Sequence, residues 1–256
     1  MQKRLRSADI RNRKGTPFAT ITAYDVSFCA AIEAAGIDVV LVGDSLGNVI
    51  LGHESTVHVT LDDMLRNGAA VVRGTVRSHV IIDMPFMSYE VSNEEAIRNA
   101  GALVRAGASS VKLEGHADRI AAIVAAGIPV VAHIGVQPQT AALNGGFRKR
   151  SDLEDLLTEA RAVTAAGAFA VVLEMVDRDV AAAITQAISI PTIGIGSGPH
   201  CDAQILVLND LLGLSSNPPP FARPYADLAA AATTALRAYA DDVRSGRFER
   251  DPLPTL

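Results

Sequence analysis

VIIDMPFMSYEVSNEEAIRNAGALVRAGASSVKLEGHADRIAAIVAAGIPVVAH, residues 80–133, contains a unit that repeats. A short apolar run ends on Asp83, a helical stretch closes on Ala106-Gly107, and a second run carries Lys112 and ends on Glu114. Another helical stretch then closes on Ala126-Gly127, and a third run reaches His133. Glycine just past a helix end adopts a left-handed backbone without a Cβ penalty, so each Ala-Gly pair marks a helix-to-strand junction. The runs are short, mostly β-branched and nearly continuous, as parallel strands covered on both faces are. The local grammar is βαβ.

The same grammar extends in both directions, with further junctions at Ala35-Gly36 and Ala166-Gly167. Strands are expected at 18–23, 39–43, 80–82, 110–113, 130–132, 170–173, 192–195 and 205–208, and helices at 27–35, 61–77, 93–106, 118–126, 152–165 and 178–187. Eight strands alternating with helices predict a closed (β/α)8 barrel of the TIM type, for which 256 residues is a sufficient length. A doubly wound open sheet would give similar local patterns. The expected organisation is an N-terminal arm over 1–15, a single catalytic barrel over 16–245 and a tail over 246–256. The arm, carrying Lys3, Arg4, Arg6, Arg11, Arg13 and Lys14 with no apolar segment after them, reads as solvated rather than as a signal peptide. Asn144-Gly145-Gly146 marks a loop, and a final amphipathic helix is expected at 226–243, after the stiff Pro218-Pro219-Pro220 run.

Composition excludes several function classes. With 28 acidic against 23 basic residues there is no positive field to attract nucleic acid, so a small molecule is the expected partner. The most apolar long stretch, 121–136, is broken by Pro129 and His133 and is shorter than the roughly 20 residues that span a bilayer. Cys29 and Cys201 are far apart and lack metal-ligand or redox spacing, which fits two reduced thiols in a cytoplasmic protein.

Successive runs end on polar residues: Tyr24 and Asp25, Asp44 and Ser45, Asp83, Lys112 and Glu114, His133, and Glu174. The C-terminal ends of barrel strands converge on one face, where such enzymes assemble their sites, so these residues are expected to share one mouth. Any one of them alone could be a helix cap or a structural ion pair. Lys112 and Glu114 lie two apart and therefore on one face of their strand. Asp44, Asp83 and Glu114 supply hard oxygen ligands of the kind that suits Mg²⁺, which keeps several waters and needs only one or two direct carboxylates.

TAYD (22–25), LVGDSLG (41–47), DMPFMSYE (83–90), VKLEG (111–115), HIGVQPQ (133–139), VVLE (171–174) and IPTIGIGSG (190–198) together resemble the ketopantoate hydroxymethyltransferase family, with VTLDDM (59–64) and CDAQILV (201–207) extending the match. The resemblance implies a barrel of the phosphoenolpyruvate-binding superfamily. It also implies transfer of a hydroxymethyl group from methylenetetrahydrofolate to 3-methyl-2-oxobutanoate, giving 2-dehydropantoate for pantothenate synthesis. Carried onto this chain, the metal positions fall on Asp44, Asp83 and Glu114, the 2-oxo acid also meets Ser45 and Lys112, and the catalytic base falls on Glu174. Tyr24 and His133 fall on positions that line the pocket, and a many-subunit ring, a decamer, is implied. The chain departs from the family at Asn48, Asn67, His116, Ser197, Ala203 and the 147–151 loop, which bears on substrate preference more than on the metal-enolate chemistry. Two other readings are a Mg²⁺-dependent enolate-forming enzyme or C–C lyase acting on another 2-oxo acid, and an oxo-acid-binding relative without catalysis.

Overall fold

The computed structural model describes residues 3–141 and 145–247, so Asn144 and the tail beyond Arg247 lie outside the described residues. Eight parallel strands close into a barrel in sequence order: β1 Phe18–Thr22, β2 Val39–Val42, β3 His79–Asp83, β4 Ser110–Glu114, β5 Val130–Gly135, β6 Ala170–Glu174, β7 Thr192–Ile195 and β8 Ala203–Gln204. The helices are α1 Ser7–Arg11, α2 Cys29–Ala34, α3 Leu46–Val49, α4 Leu61–Gly74, α5 Asn93–Arg105, α6 Ala117–Ala125, α7 Leu153–Ala165, α8 Arg178–Ala187, α9 Leu208–Leu211 and α10 Leu228–Ser245. The barrel, not the open sheet, is the fold. Gly36, Gly107, Gly127 and Gly167 all have positive φ, as the helix-to-strand junctions require. The helices start where polar side chains can take up free N–H groups: Thr60 and Asp63 cap each other's backbone at α4, and Ser92, Asp152 and Asp177 cap α5, α7 and α8.

Two expectations are corrected. The last strand is Ala203–Gln204 rather than 205–208, because pairing to both neighbours occurs at Phe18↔Ala203 on one side and Ile193↔Ala203 on the other. The apolar character of the next residues reflects core burial, with Ile205 in the central cluster. The arm is solvated on one side only: Lys3, Arg6 and Arg11 are exposed, but Ser7–Arg11 is helical, and Ile10 is 1% exposed in the same cluster as Phe18, Val39, Leu41, Ile81, Val131 and Phe169. Its neighbours are also tied down, since Leu5 N donates to Arg77 O and Leu5 O lies 3.0 Å from His79 Nδ1. The chain forms two compact units, up to Val207 and from Leu208. The βα alternation stops at β8, and the second unit holds α9 and α10, with Asp227 capping α10 through Ala230 N at 3.0 Å.

Within the strands the period of two sorts side chains between the barrel interior and the helices. Val39 and Leu41 of β2, Ile81 of β3, Val131 of β5, Ala170 and Val172 of β6 and Ile193 of β7 meet in the central cluster. Two residues further on, the same faces carry Asp83, His133 and Glu174. The interior therefore changes from apolar to charged in one step towards the C-terminal ends.

At the opposite end, Asp202 joins the N-terminal segment to the last strands. Its carboxylate accepts from Gly15 N at 2.8 Å, Thr192 N at 2.8 Å and Lys14 Nζ at 2.9 Å. Burial alone would raise its pKa, but the Thr192 backbone bond and the Lys14 ammonium hold it below the usual carboxylate value. A depressed folded-state pKa gives stability that is present above the unfolded value and lost as pH falls through the folded one. Asp202→Asn is therefore expected to cost about 1–3 kcal/mol at neutral pH. In urea melts the difference from wild type should stay constant from pH 7 to 5 and shrink below about pH 4, the unfolded aspartate value. Equal stability at pH 7 would contradict this role.

Candidate active site

Strand register decides which charges meet. Asp83 of β3 pairs with Lys112 of β4 across the sheet, and Glu114 of β4 pairs with His133 of β5. Lys112 Nζ lies 2.6 Å from Asp83 Oδ1, with the two side chains 5% and 2% exposed. The Asp44 backbone N donates to Asp83 Oδ2 at 3.0 Å, so the carboxylate is shared between the end of β2 and the lysine. His133 lies between two acids, with Nδ1 3.4 Å from Glu114 Oε1 and Nε2 3.3 Å from Glu174 Oε2. These contacts are longer than good N–H···O bonds, so charge attraction more than directional bonding holds the imidazole. Tyr24 Oη and Ser45 Oγ are 2.9 Å apart. A Cβ placed on Gly43 would lie 2.8 Å from Ser45 Oγ and 3.6 Å from Asp83 Oδ2, which puts that hydroxyl beside the carboxylates.

Of the nine residues singled out from the sequence, Asp44, Asp83, Lys112, Glu114, His133 and Glu174 fall in one connected web, and Tyr24 and Ser45 bond each other next to Asp44. Asp25 does not join them: it is exposed and accepts from Ser27 N at 2.7 Å. Two members were missed. Gln139 bonds both Asp44 and Glu114, and Tyr89 bonds Gln139. Both sit in quoted motifs, but neither ends a strand and neither carries charge, so the pattern that found the others passes over them. Among the described residues no three His, Cys, Asp or Glu side chains form a ready metal cage. Asp83 is turned to Lys112, Asp44 to Gln139, and Glu114 to His133 and Gln139.

The electrostatics record this crowding. Burial, followed by repulsion from Asp83, pushes the Asp44 carboxyl up to about 8. Burial likewise raises Asp83, against the pull of Lys112. Burial opposes the charge on Lys112, yet the surrounding Asp83, Asp44 and Glu114 outweigh it and keep the ammonium protonated. His133 is pushed up to about 9, because contacts with Glu114 and Glu174 overcome burial and the repulsion of Lys112. Glu174, with 16% of its side chain exposed, is more open than Asp83 or Glu114.

Backbone geometry aims this carboxylate. Met175, immediately after it, has φ 48°, a left-handed conformation unusual for a residue with a side chain. Gly135 of β5 faces Glu174 closely enough that a Cβ there would lie 2.3 Å from the Glu174 carbonyl oxygen. Several of the departures from the family also reach this point. Ser197 Oγ donates to Leu173 O at 2.8 Å and accepts from Val176 N at 2.9 Å, bracketing Glu174. Arg150 of the 147–151 loop donates its N–H to Met175 O at 2.9 Å, and the His116 ring stands edge-on to Tyr89 at 5.7 Å. Asn48 and Asn67 instead bond local backbone, His53 O and Asp63 O, and Ala203 lies in β8.

Comparison with known proteins gives this geometry a context. Among solved structures, phosphonopyruvate hydrolase superposes with a TM-score of 0.67 over 100% of this chain and 92% of its own, at 15% identity. A 2,3-dimethylmalate lyase of the PEP mutase/isocitrate lyase superfamily superposes at 0.63 over 97% and 91%, at 18% identity. At these identities the likeness is one of fold. Curated relatives are much nearer in sequence. The 3-methyl-2-oxobutanoate hydroxymethyltransferase of Hyperthermus butylicus is 51% identical over 92% of this chain and 84% of its own length. Those of Pyrobaculum aerophilum and Desulforapulum autotrophicum are 47% and 49% identical, each over 97% of both chains. The model of the family described as ketopantoate hydroxymethyltransferase matches residues 4–251, and with it this chain belongs to the ketopantoate hydroxymethyltransferase family.

Proposed function

We propose that the chain moves a one-carbon unit from methylenetetrahydrofolate to 3-methyl-2-oxobutanoate, giving 2-dehydropantoate for pantothenate synthesis, with Glu174 as the base. The observation that carries this reading is the row of buried charges across β2 to β6, which ends on a more open carboxylate at Glu174. Relatives at about half identity share one reaction name, which favours this acceptor over other enolate chemistries.

The residues present fit a Mg²⁺ ion as cofactor. Four carboxyl groups, Asp44, Asp83, Glu114 and Glu174, stand with Lys112 and His133, and burial, then the nearness of other carboxylates, raises Asp44 and Asp83, so a cation beside them would favour their ionised forms. We assign direct binding to Asp44 and Asp83, with Glu114 beside them; two carboxylates plus substrate and water oxygens suit this ion. When bound, it supplies positive charge against the negative charge that appears on the oxo acid as C3 loses its proton. Ser45 and Tyr24 orient the substrate carboxylate by hydrogen bonds, and Lys112 adds fixed positive charge beside it. Glu174 takes the C3 proton, and the freed electron pair forms the new bond to the methylene carbon of the folate. His133, held between Glu114 and Glu174, keeps the base carboxylate turned towards the mouth. Both C–N bonds of the methylene carbon break with their electron pairs left on nitrogen, water supplies the hydroxyl oxygen of the product, and the proton from C3 and one from water end on the two nitrogens as tetrahydrofolate leaves.

Among the described residues no helix is long and apolar enough to cross a membrane, and the two cysteines are unpaired, which suits a reducing, cytoplasmic setting. The partners are the small oxo acid and the folate, with no nucleic acid. The assembly is a homo-oligomer, a decamer on the family pattern. Exposed Ile50, Leu51 and Val57 provide apolar surface for such contacts.

Three measurements test these assignments. Rigorous removal of divalent cations should abolish turnover, and Asp83→Ala should weaken metal-dependent binding of the oxo acid; full activity without metal is the contrary result. Glu174→Gln keeps the side-chain shape but removes the proton acceptor, so deuterium exchange at C3 should fall at least about 100-fold, the scale of a general base, with oxo-acid affinity changed much less. Exchange at the wild-type rate in folded, metal-loaded variant would exclude Glu174 as base. Light scattering should give a species several times the mass of one chain, and a stable monomer would remove the assembly proposal.

A further inference from the structure

Gln139 ends no strand and bears no charge, yet three strand ends converge on it. It lies in the short 3-10 turn Pro138–Thr140 after β5 and is 3% exposed. Its side-chain Nε2 donates to Asp44 Oδ2 at 2.8 Å and to Met84 O at 3.0 Å, which uses both amide protons. Its main-chain N–H donates to Glu114 Oε2 at 3.1 Å. Its Oε1 accepts from the Tyr89 hydroxyl at 2.5 Å, and that hydroxyl accepts in turn from Glu114 N at 3.3 Å.

This network allows one orientation of the amide. The Tyr89 hydroxyl gives its single proton to Oε1 and accepts the Glu114 N–H through a lone pair. A flipped amide would set Oε1 against the Met84 carbonyl, two acceptors with no proton between them. The neutrality of the side chain also matters. A cation at this point would neutralise Asp44 and occupy the place of a metal, and a carboxylate would add to the repulsion. An amide fixes the direction of Asp44 and adds no charge of its own.

We infer that Gln139, locked by Tyr89, is a positioning residue that presents Asp44 and Glu114 to a divalent cation in one geometry. The inference rests on the metal reading proposed above. Mg²⁺ demands a near-ideal octahedral arrangement, so ligands free to swing bind it less well than ligands aimed in advance. Partners that orient metal ligands typically change affinity about 10- to 100-fold when removed. Tyr89 and Gln139 thus extend the site to two residues that touch neither the metal nor the substrate.

The test is Mn²⁺ binding to the full chain, followed by electron paramagnetic resonance, with the thermal midpoint of the metal-free protein measured in parallel. Gln139→Leu is expected to weaken Mn²⁺ binding about 10- to 100-fold. Tyr89→Phe, which removes only the hydroxyl, should weaken it by a smaller factor. The double variant should bind no more weakly than Gln139→Leu alone, because Tyr89 acts through the amide. A purely structural role would lower the thermal midpoint and leave Mn²⁺ affinity at the wild-type value, and that result in either folded single variant overturns the inference. If Gln139→Leu does not fold, Tyr89→Phe and Gln139→Asn decide the question by the same readout. Failure of the wild type itself to bind Mn²⁺ overturns the metal reading and this role with it, whereas wild-type binding with unchanged variants overturns this role alone.

Discussion

The Lys112–Asp83 ion pair, 2.6 Å apart and almost fully buried, sets the terms for the mouth of the barrel. Moving two charges out of water costs several kcal/mol per ion even after relaxation, and one contact seldom returns it all. The surrounding polar groups answer that cost. The Asp44 backbone N–H solvates the second oxygen of Asp83, while Asp44 and Glu114 lie close enough to favour the lysine charge. Those same carboxyl groups disfavour one another's charge, and burial adds to the effect at Asp44 and Asp83. Bonds to the main chain fix their directions.

The two ends of the barrel divide the work. At the N-terminal end Ile10 closes the interior beneath Phe18 and Phe169, and Asp202 bonds Lys14, Gly15 and Thr192 with its carboxylate fully engaged. His79 is likewise satisfied there, with Nε2 2.8 Å from Ser110 Oγ, and burial lowers its pKa to about 4, so it is neutral and structural. At the C-terminal end the polar groups are only partly satisfied, and the backbone is locally strained. Met87, His116 and Met175 take left-handed φ values in loops that follow β3, β4 and β6. Such residues cost on the order of 1–3 kcal/mol each and persist where surrounding structure fixes them. The well-bonded lower end supplies the rigidity that lets the upper end hold strain and uncompensated charge.

The sequence by itself determined the alternation of strands and helices and where the polar strand ends lie, whereas closure into a barrel was decided by the pairing of β8 with β1. Ala-Gly junctions and β-branched runs locate helix ends and parallel strands because both signals are local: one is a backbone conformation only glycine takes cheaply, the other a period-two surface. Polar residues at the ends of those runs follow from the same logic, so Asp44, Asp83, Lys112, Glu114, His133 and Glu174 could be read from the chain. Other features rest on distant partners and could not. The two-residue β8 exists only because β1 and β7 flank it, the basic first segment is anchored because one isoleucine meets the barrel floor, and the chain divides after Val207 where the alternation ends. Gln139 and Tyr89 look ordinary in sequence. Tertiary structure alone decided that they would meet Asp44 and Glu114, because hydrogen bonds between residues 95 and 25 positions apart have no local signature and are set only when the barrel closes.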